Sequence, residues 1–345
     1  MGDTLVLRAG LIGLGWWGET LIDSIADSDL IRVVAATSRS ESPRDLELAG
    51  KHGLALYPSI EALLSDPLID AVVLATPPSG HPDQIIQIAQ AGKHVFCEKP
   101  LSLQGSSAAD AIAAVGKAGV TIGLGYNRRF HPSWLDLKAR VQSGKLGTIL
   151  HVECTMSGPN GLLISADAWR SQVKEAPCGG LIPMGVHAID ELIDLFGDVE
   201  GVFCLSDRRA VLGDNDDTTS VLFKMTNGVT GYLGTMMATA GTFRFQIYGS
   251  KAMALLGGAV HVAGQSSHQR RSGLFGSYVI QPVKGEAEEI EVPSFDVNRA
   301  ELEAFARAVS GVEPYPITLH EMVHGAAVTE AIITSARSGQ FERIK

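Results

Sequence analysis

Over the first 125 residues, apolar positions fall in short runs separated by amphipathic stretches. The runs Leu5–Ile12, Ile31–Thr37, Ala71–Ala75, His94–Cys97 and Thr121–Leu124 read as strands. Between them, Trp16–Ala26, Arg44–His52, Ile60–Leu64, Pro82–Ala91 and Ser106–Ala118 carry helical spacing. Short, continuously apolar strands alternating with helices predict parallel βαβ units, with the sheet covered on both faces.

The pattern changes after Tyr126. A helix is predicted over Ser133–Ser143 and a strand over Gly147–Thr155, followed by an irregular stretch from Ser157 to Pro177. Gly180–Phe196 reads as helix. Strand-like runs then follow at Val202–Ser206, Thr218–Met225, Val229–Thr235, Phe243–Tyr248 and Ala252–Leu256. Short turns between them, such as Thr226-Asn227-Gly228, predict antiparallel pairing. Helices over Arg299–Val309 and Thr318–Ser338 close the chain. The predicted architecture is an α/β doubly wound parallel sheet over 1–125, followed over 126–345 by an α+β domain on a large, mostly antiparallel open sheet. The last helix, 318–338, is expected to pack back toward the first domain.

Composition narrows the function classes. Apolar residues make up 45% and charged residues 19% of 345, enough for full-sized cores. A net charge of −10 disfavours nucleic acid and anionic membrane surfaces as partners. Four cysteines, Cys97, Cys154, Cys178 and Cys204, are widely spaced and form no CxxC pair, which fits a reduced, cytoplasmic protein. Neither a membrane span nor a signal peptide is expected.

The strongest local motif is Gly13-Leu14-Gly15-Trp16-Trp17-Gly18, between a predicted strand and a predicted helix. The first glycine permits a tight turn, the second a close approach to a pyrophosphate, and the third close helix–strand packing. These six residues are read as dinucleotide-binding. The second strand ends at Ser38-Arg39, 20 residues beyond Gly18, where an acid would select the ribose 2′-hydroxyl. Ser38, Arg39 and Ser40 suit a 2′-phosphate instead, so NADP(H) is favoured and NAD(H) usable. Lys99 and Glu98 end the fifth strand, on the side where open α/β sheets bind ligands. A desolvated lysine there can relay a proton, while a solvated strand-end lysine paired with Glu98 accounts for the same residues.

Taken together, GLGWWG, ATPPSGH, CEKPLS and GYNRRFHP resemble the Gfo/Idh/MocA oxidoreductases. Trp169-Arg170, Gly179-Gly180, Gly185-Val186-His187 and Asn215-Asp216-Asp217-Thr218 extend the resemblance through the second half. It implies an NAD(P)-dependent enzyme acting on sugars, inositols and related alcohols. Lys99 is then the catalytic lysine and His187 the histidine that exchanges the substrate hydroxyl proton. Thr76, Pro77, Pro78, His81, Glu98, Lys99 and Asn127 would contact the cofactor; Arg128, Trp169, Arg170 and His187 would contact the substrate. His187 also falls off the apolar stripe of its helix, near the N-terminus, where the dipole favours a neutral base. Pro183 stands where family members often carry an aspartate.

His320-Glu321-Met322-Val323-His324 is a literal HExxH, read here as structural helix with no metal. Val221, Phe223 and Tyr232 are expected on an open sheet face that a second subunit covers, giving a homodimer or homotetramer. The expected activity is hydride transfer between nicotinamide and a carbinol carbon of a small-molecule substrate. A lyase or glycosidase using bound NAD transiently, or a cofactor-binding sensor, is the alternative.

Overall fold

The computed structural model describes residues 6–38, 42–165, 168–271 and 274–345. The chain divides into two compact units, Met1–Asn127 with Asp296–Val323, and Arg128–Phe295 with His324–Lys345.

In the first unit, β1 (Leu7–Ile12), α1 (Trp16–Ser24), β2 (Ile31–Thr37), α2 (Pro43–His52), β3 (Ala55–Leu56), α3 (Ile60–Leu64), β4 (Ala71–Leu74), α4 (His81–Gln90), β5 (His94–Glu98), α5 (Gly105–Ala118) and β6 (Ile122–Gly125) follow one another. The strands form a parallel sheet in the order β3-β2-β1-β4-β5-β6. Leu11, Val72, Phe96 and Leu124 are buried in it, as two-sided burial of apolar runs requires. The order reverses between β1 and β4, so a crevice opens beyond the carboxyl ends of those strands.

In the second unit, α6 (Pro132–Gln142), β7 (Ile149–Ser157) and a short α7 (Asn160–Leu163) lead to α8 (Gly185–Phe196). They are followed by β8 (Val199–Asp207), β9 (Thr218–Met225), β10 (Thr230–Met236), β11 (Thr242–Gly249), β12 (Ala252–Gly258), α9 (Ser267–Arg271), β13 (Phe275–Pro282) and β14 (Glu288–Glu289). After α10 (Val297–Val309) and α11 (Leu319–Ser338), β15 (Glu342–Arg343) completes the sheet order β14-β13-β12-β11-β7-β10-β9-β8-β15. Only β7 and β10 pair in parallel among the described strands of this sheet; the turn at Thr226-Asn227-Gly228 joins β9 to β10 antiparallel, with Gly228 at φ +88°. No helix among the described residues is long and apolar enough to cross a membrane.

Three sequence expectations are corrected here. The predicted helix over Gly180–Phe196 begins only at Gly185, because Pro183 precedes it and lacks an N–H, and Met184 takes the cap position. Residues 296–323 belong to the first unit rather than the second. Phe305 meets Phe96 edge-on at 5.7 Å, Tyr315 donates to the Leu124 carbonyl at 2.9 Å, and Arg299 pairs with Asp27 at 3.0 Å. Most of α11 instead belongs to the second unit, where Ser335 accepts from the Cys204 N–H at 2.9 Å.

The third correction concerns the open face. Val221 and Phe223 are buried, beside Cys204 and Val202 of β8. The opposite face of the sheet carries Leu205 and Leu222, both more than half exposed, with Tyr232 directly across from Leu222. Period-two alternation separates these two sets, but which face is covered depends on helices elsewhere in the chain.

Candidate active site

The glycine loop between β1 and α1 meets the demands of its motif one residue at a time. Gly13 has φ +103°, and a Cβ there would come within 2.6 Å of the Ala75 carbonyl oxygen. At Gly18 a Cβ would strike the Gly13 carbonyl oxygen at 2.2 Å, so the helix could not approach the strand. A Cβ at Gly15 would meet nothing within 4 Å, because this residue faces open space at the head of α1. The loop thus presents bare backbone and a helix N-terminus at the switch point, an arrangement suited to a pyrophosphate. Leu14 is buried, and Trp16 and Trp17 are half-buried and edge-on to each other at 5.8 Å.

At the end of β2, Ser38 donates to Asp45 at 3.0 Å. Asp45 belongs to the N-terminal capping box of α2, where it also accepts from the Ser42 N–H. Beside it, Arg44 donates to the Leu14 carbonyl at 2.8 Å and pairs with Glu19 at 2.8 Å, which lays a guanidinium along the glycine loop. Neither Arg44 nor Asp45 stood out in the sequence. Arg39 and Ser40 lie outside the described residues.

The loops after β4 and β5 are braced by His81. Its Nδ1 lies 2.8 Å from the Pro100 carbonyl oxygen and its Nε2 3.0 Å from that of Thr76. The ring is fully buried, and Pro78 is buried beside the half-buried Pro77. Thr76 donates to Gln84 at 2.6 Å. Lys99 is half-buried and stands on a cis peptide to Pro100. Glu98, 5% exposed, accepts from the Lys99 N–H at 3.3 Å. Burial pushes its carboxyl up to about 7, against the pull of the Trp17 indole and the Lys99 charge. Asn127 donates its side-chain amide to Asn298 at 2.8 Å inside the same unit.

In the second unit, His187 occupies the first turn of α8 and is half-buried. The helix is held by Arg129, a buried residue with no local signal in the sequence. Its Nε and Nη2 reach the two Asp190 carboxylate oxygens at 2.8 and 2.6 Å, and Nη1 reaches Asp194 at 2.9 Å. Trp134 adds an indole bond to Asp194 at 2.8 Å. Arg128, expected to contact substrate, is 4% exposed; its guanidinium lies 4.1 Å from the Phe243 ring centroid and 3.8 Å from Glu191. The geometry makes it a core cation. Burial pushes the Glu191 carboxyl up to about 8, and Asp190 and Asp194 add to the rise. Arg170 stacks over Trp169 at 4.1 Å, and burial draws its pKa down to about 10.

The HExxH residues have structural partners. Glu321 caps the last helix by accepting from the Thr318 N–H at 2.7 Å, and His324 Nε2 accepts from the Val199 N–H at 2.9 Å.

A parallel sheet in this order, with a glycine loop shaped for a pyrophosphate at its switch point, defines a dinucleotide-binding fold. Residues 7–126 match the family model described as oxidoreductase family, NAD-binding Rossmann fold, and residues 134–255 match the GFO/IDH/MocA C-terminal domain. The chain belongs to the Gfo/Idh/MocA oxidoreductase family. It is 30% identical over 261 residues to the uncharacterized oxidoreductase YrbE of Bacillus subtilis (strain 168), covering 73% of this chain and 74% of that protein. It is 29% identical to the myo-inositol 2-dehydrogenase of Thermotoga maritima over 71% of this chain and 73% of that one. The crystal structure of aldose-aldose oxidoreductase from Caulobacter crescentus, complexed with glycerol, superposes with a TM-score of 0.84. That match covers 98% of this chain and 99% of the other at 21% identity, and shows the shared fold.

Proposed function

We propose that this protein oxidises or reduces a carbinol carbon of a sugar, polyol or cyclic diol, with NADP(H) favoured and NAD(H) usable. The observation that carries the reading is the glycine loop, in which Gly13 and Gly18 have no room for a side chain and Gly15 leaves open space before it. Gly13, Leu14, Gly15, Trp16, Trp17 and Gly18 would hold the pyrophosphate, and Thr76 to Pro78 would flank it across the switch point. Nicotinamide C4, when bound, supplies the hydride acceptor or donor. Similarity to a myo-inositol 2-dehydrogenase supports a polyol class of substrate.

The chain's own work is alignment and proton handling. His187 takes or returns the hydroxyl proton of the substrate, and Lys99 relays it or stabilises the developing alkoxide. Glu98, pushed up to about 7 beside Lys99, holds a proton of its own near neutrality, so a full carboxylate charge does not pin the ammonium. His81 sits between the Thr76 and Pro100 carbonyls, donating its ring N–H to one of them, and so positions the chain next to Lys99. Trp169 and Arg170 contact the substrate.

Ser38 in place of an acid, together with the Arg44 guanidinium along the loop, supports the 2′-phosphate preference, and the Asp45 charge opposes it. The exposed sheet face around Leu205, Leu222 and Tyr232 supports a homodimer or homotetramer. Four buried free thiols support a reducing, cytoplasmic setting. The test is a screen of polyols, aldoses and cyclic diols with each cofactor, followed by nicotinamide absorbance. Turnover of at least one class with cofactor reduction supports the reading, and the absence of both cofactor binding and turnover refutes it.

A further inference from the structure

Two of the free thiols, those of Cys178 and Cys204, meet inside the second unit. Cys204 lies on β8, with Ser206 two positions further along the same face. Strand β9 sets Thr219 opposite Ser206. Thr219 Oγ1 donates to the Cys178 carbonyl at 2.8 Å and lies 2.9 Å from the Ser206 hydroxyl. The turn that starts at Cys178 is thus pinned over this patch of sheet. Gly179 is seated so closely that a Cβ there would strike the Asp216 carbonyl oxygen at 2.1 Å. Across the gap, the Cys204 thiol donates to the Cys178 sulfur, and the Ser206 hydroxyl bonds the same sulfur.

Cys178 carries two further marks. It is the one non-glycine residue at positive φ among the described residues, at φ 55° and ψ 37°. A side chain holds that left-handed conformation only where its surroundings impose it. The bond donated by Cys204 also draws the Cys178 thiol below its ordinary value, against burial and the Asp216 charge. Thiolate character is what makes a cysteine nucleophilic. Cys97 and Cys154 are the contrast: burial pushes both of those thiols well up, which leaves them inert.

We propose that Cys178 and Cys204 form a modification site, at which a peroxide closes a reversible disulfide between them. Cys178, 7% exposed against 1% for Cys204, is the sulfur the oxidant reaches first. Its thiolate attacks one peroxide oxygen, the O–O bond breaks, and the hydroxide released takes up the thiol's proton as water. Cys178 is then a sulfenic acid. The Cys204 sulfur attacks it, the S–S bond forms, and the S–O bond breaks with loss of a second water that carries the Cys204 proton. The sulfurs together give up two electrons, and the peroxide accepts them. In a reducing compartment such a bond is transient and acts as a sensor.

The site is wired to the candidate histidine. The Leu181 N–H donates to the Cys178 carbonyl, the Met184 N–H to that of Gly180, and the His187 N–H to that of Met184, each at 3.1 Å. Drawing Cys178 toward β8 therefore displaces the turns that lead into α8. This consequence rests on the role given to His187 above; the disulfide itself does not.

The test treats the full, reduced chain with hydrogen peroxide, blocks remaining thiols with iodoacetamide and maps the digested peptides by mass spectrometry. A peptide pair joining Cys178 to Cys204 should appear and should vanish after dithiothreitol, while Cys97 and Cys154 stay alkylated. Cys204→Ser should halt the reaction at a Cys178 sulfenic acid that dimedone traps. Cys178 and Cys204 both remaining alkylated overturns the proposal, as does linkage between chains or equal oxidation of Cys97 and Cys154. The wild-type map needs no variant, so it decides the matter even where Cys204→Ser fails to fold. Turnover should fall severalfold in step with the linked peptide and return with dithiothreitol; unchanged turnover in fully linked protein overturns the coupling to His187. Linkage in a protein with neither cofactor binding nor turnover refutes the dehydrogenase reading and upholds the site. Turnover without linkage refutes the site alone.

Discussion

Ser38 at the end of β2 donates its hydroxyl to Asp45, 3.0 Å away and seven residues further along the chain. An acid therefore stands near the end of this strand in space, although none stands there in sequence. Its charge works against a 2′-phosphate, while Arg44 on the neighbouring position works for one. Asp45→Asn keeps an acceptor for the Ser42 N–H and removes the charge. It should raise NADP affinity about threefold to tenfold with NAD nearly unchanged, whereas Arg44→Ala should lower NADP affinity by a similar factor. Fluorescence titration of both cofactors into the two variants checks this, and equal shifts for NAD and NADP would count against it.

The proton-handling roles lead to a second expectation. Lys99→Met and His187→Ala should each cut turnover by about 10²–10⁴, with cofactor affinity changed far less. Steady-state kinetics with titrated cofactor measures both quantities, and near-wild-type turnover in either variant removes that residue from the mechanism.

His81 is expected to act through Lys99. Replacing this buried ring with alanine removes its contact with the two carbonyls and opens a void, at a cost of about 2–4 kcal/mol in stability. His81→Asn should retain one carbonyl bond and lose less. In both variants kcat should fall more than the substrate KM rises, because Lys99 is displaced and not deleted. Denaturant melts and kinetics on the same preparations separate the two effects.

Glu191 gives the clearest pH dependence. Its carboxyl is raised from the ordinary value of 4.5 to about 8 by burial, so the folded state holds the proton more tightly than the unfolded chain. The stability this confers is complete below about 4.5 and is lost as pH rises through 8. The shift corresponds to roughly 4–5 kcal/mol between the two ends of that window. Glu191→Gln, neutral at every pH, should flatten the fall in melting temperature between about pH 4.5 and 8. An unchanged slope would show that the carboxyl is not proton-bound in the fold.

The sheet face carrying Leu205, Leu222 and Tyr232 should be covered in the assembled protein. Leu222→Glu places a charge opposite Tyr232 and should shift the protein toward monomer in light scattering, with secondary structure unchanged. A wild-type monomer at micromolar concentration refutes the interface.

The extent to which these features could be read from the sequence follows from the reach of each interaction. Gly13, Gly15 and Gly18 are constrained by atoms of their own βα unit and by one neighbouring strand, so their spacing alone carries the message. Lys99 is legible for the same reason, since it ends a short apolar run. Asn127 is different: its partner Asn298 lies 171 residues away, and no local pattern links them. The clamp from Arg129 to Asp190, 61 residues on, is equally silent, because an arginine ahead of one predicted helix and an aspartate on another carry no local sign of each other. Val221 and Phe223 fall on the covered face, and the sequence does not say so, because alternation gives two sets of residues and no sign.

The return of residues 296–323 to the first unit has a consequence for how the protein is made. The chain leaves the ribosome from its amino end, and β6 emerges long before Phe305 and Tyr315 exist. Until they arrive, Gly123 and Leu124 lack the aromatic rings that cover them, and the sheet's outer strand stays unsheltered. The nucleotide-binding half therefore reaches its final form only near the end of synthesis, after the intervening second unit has been threaded out. A nascent chain halted just past residue 127 would hold the glycine loop and still lack the helix that closes its own core.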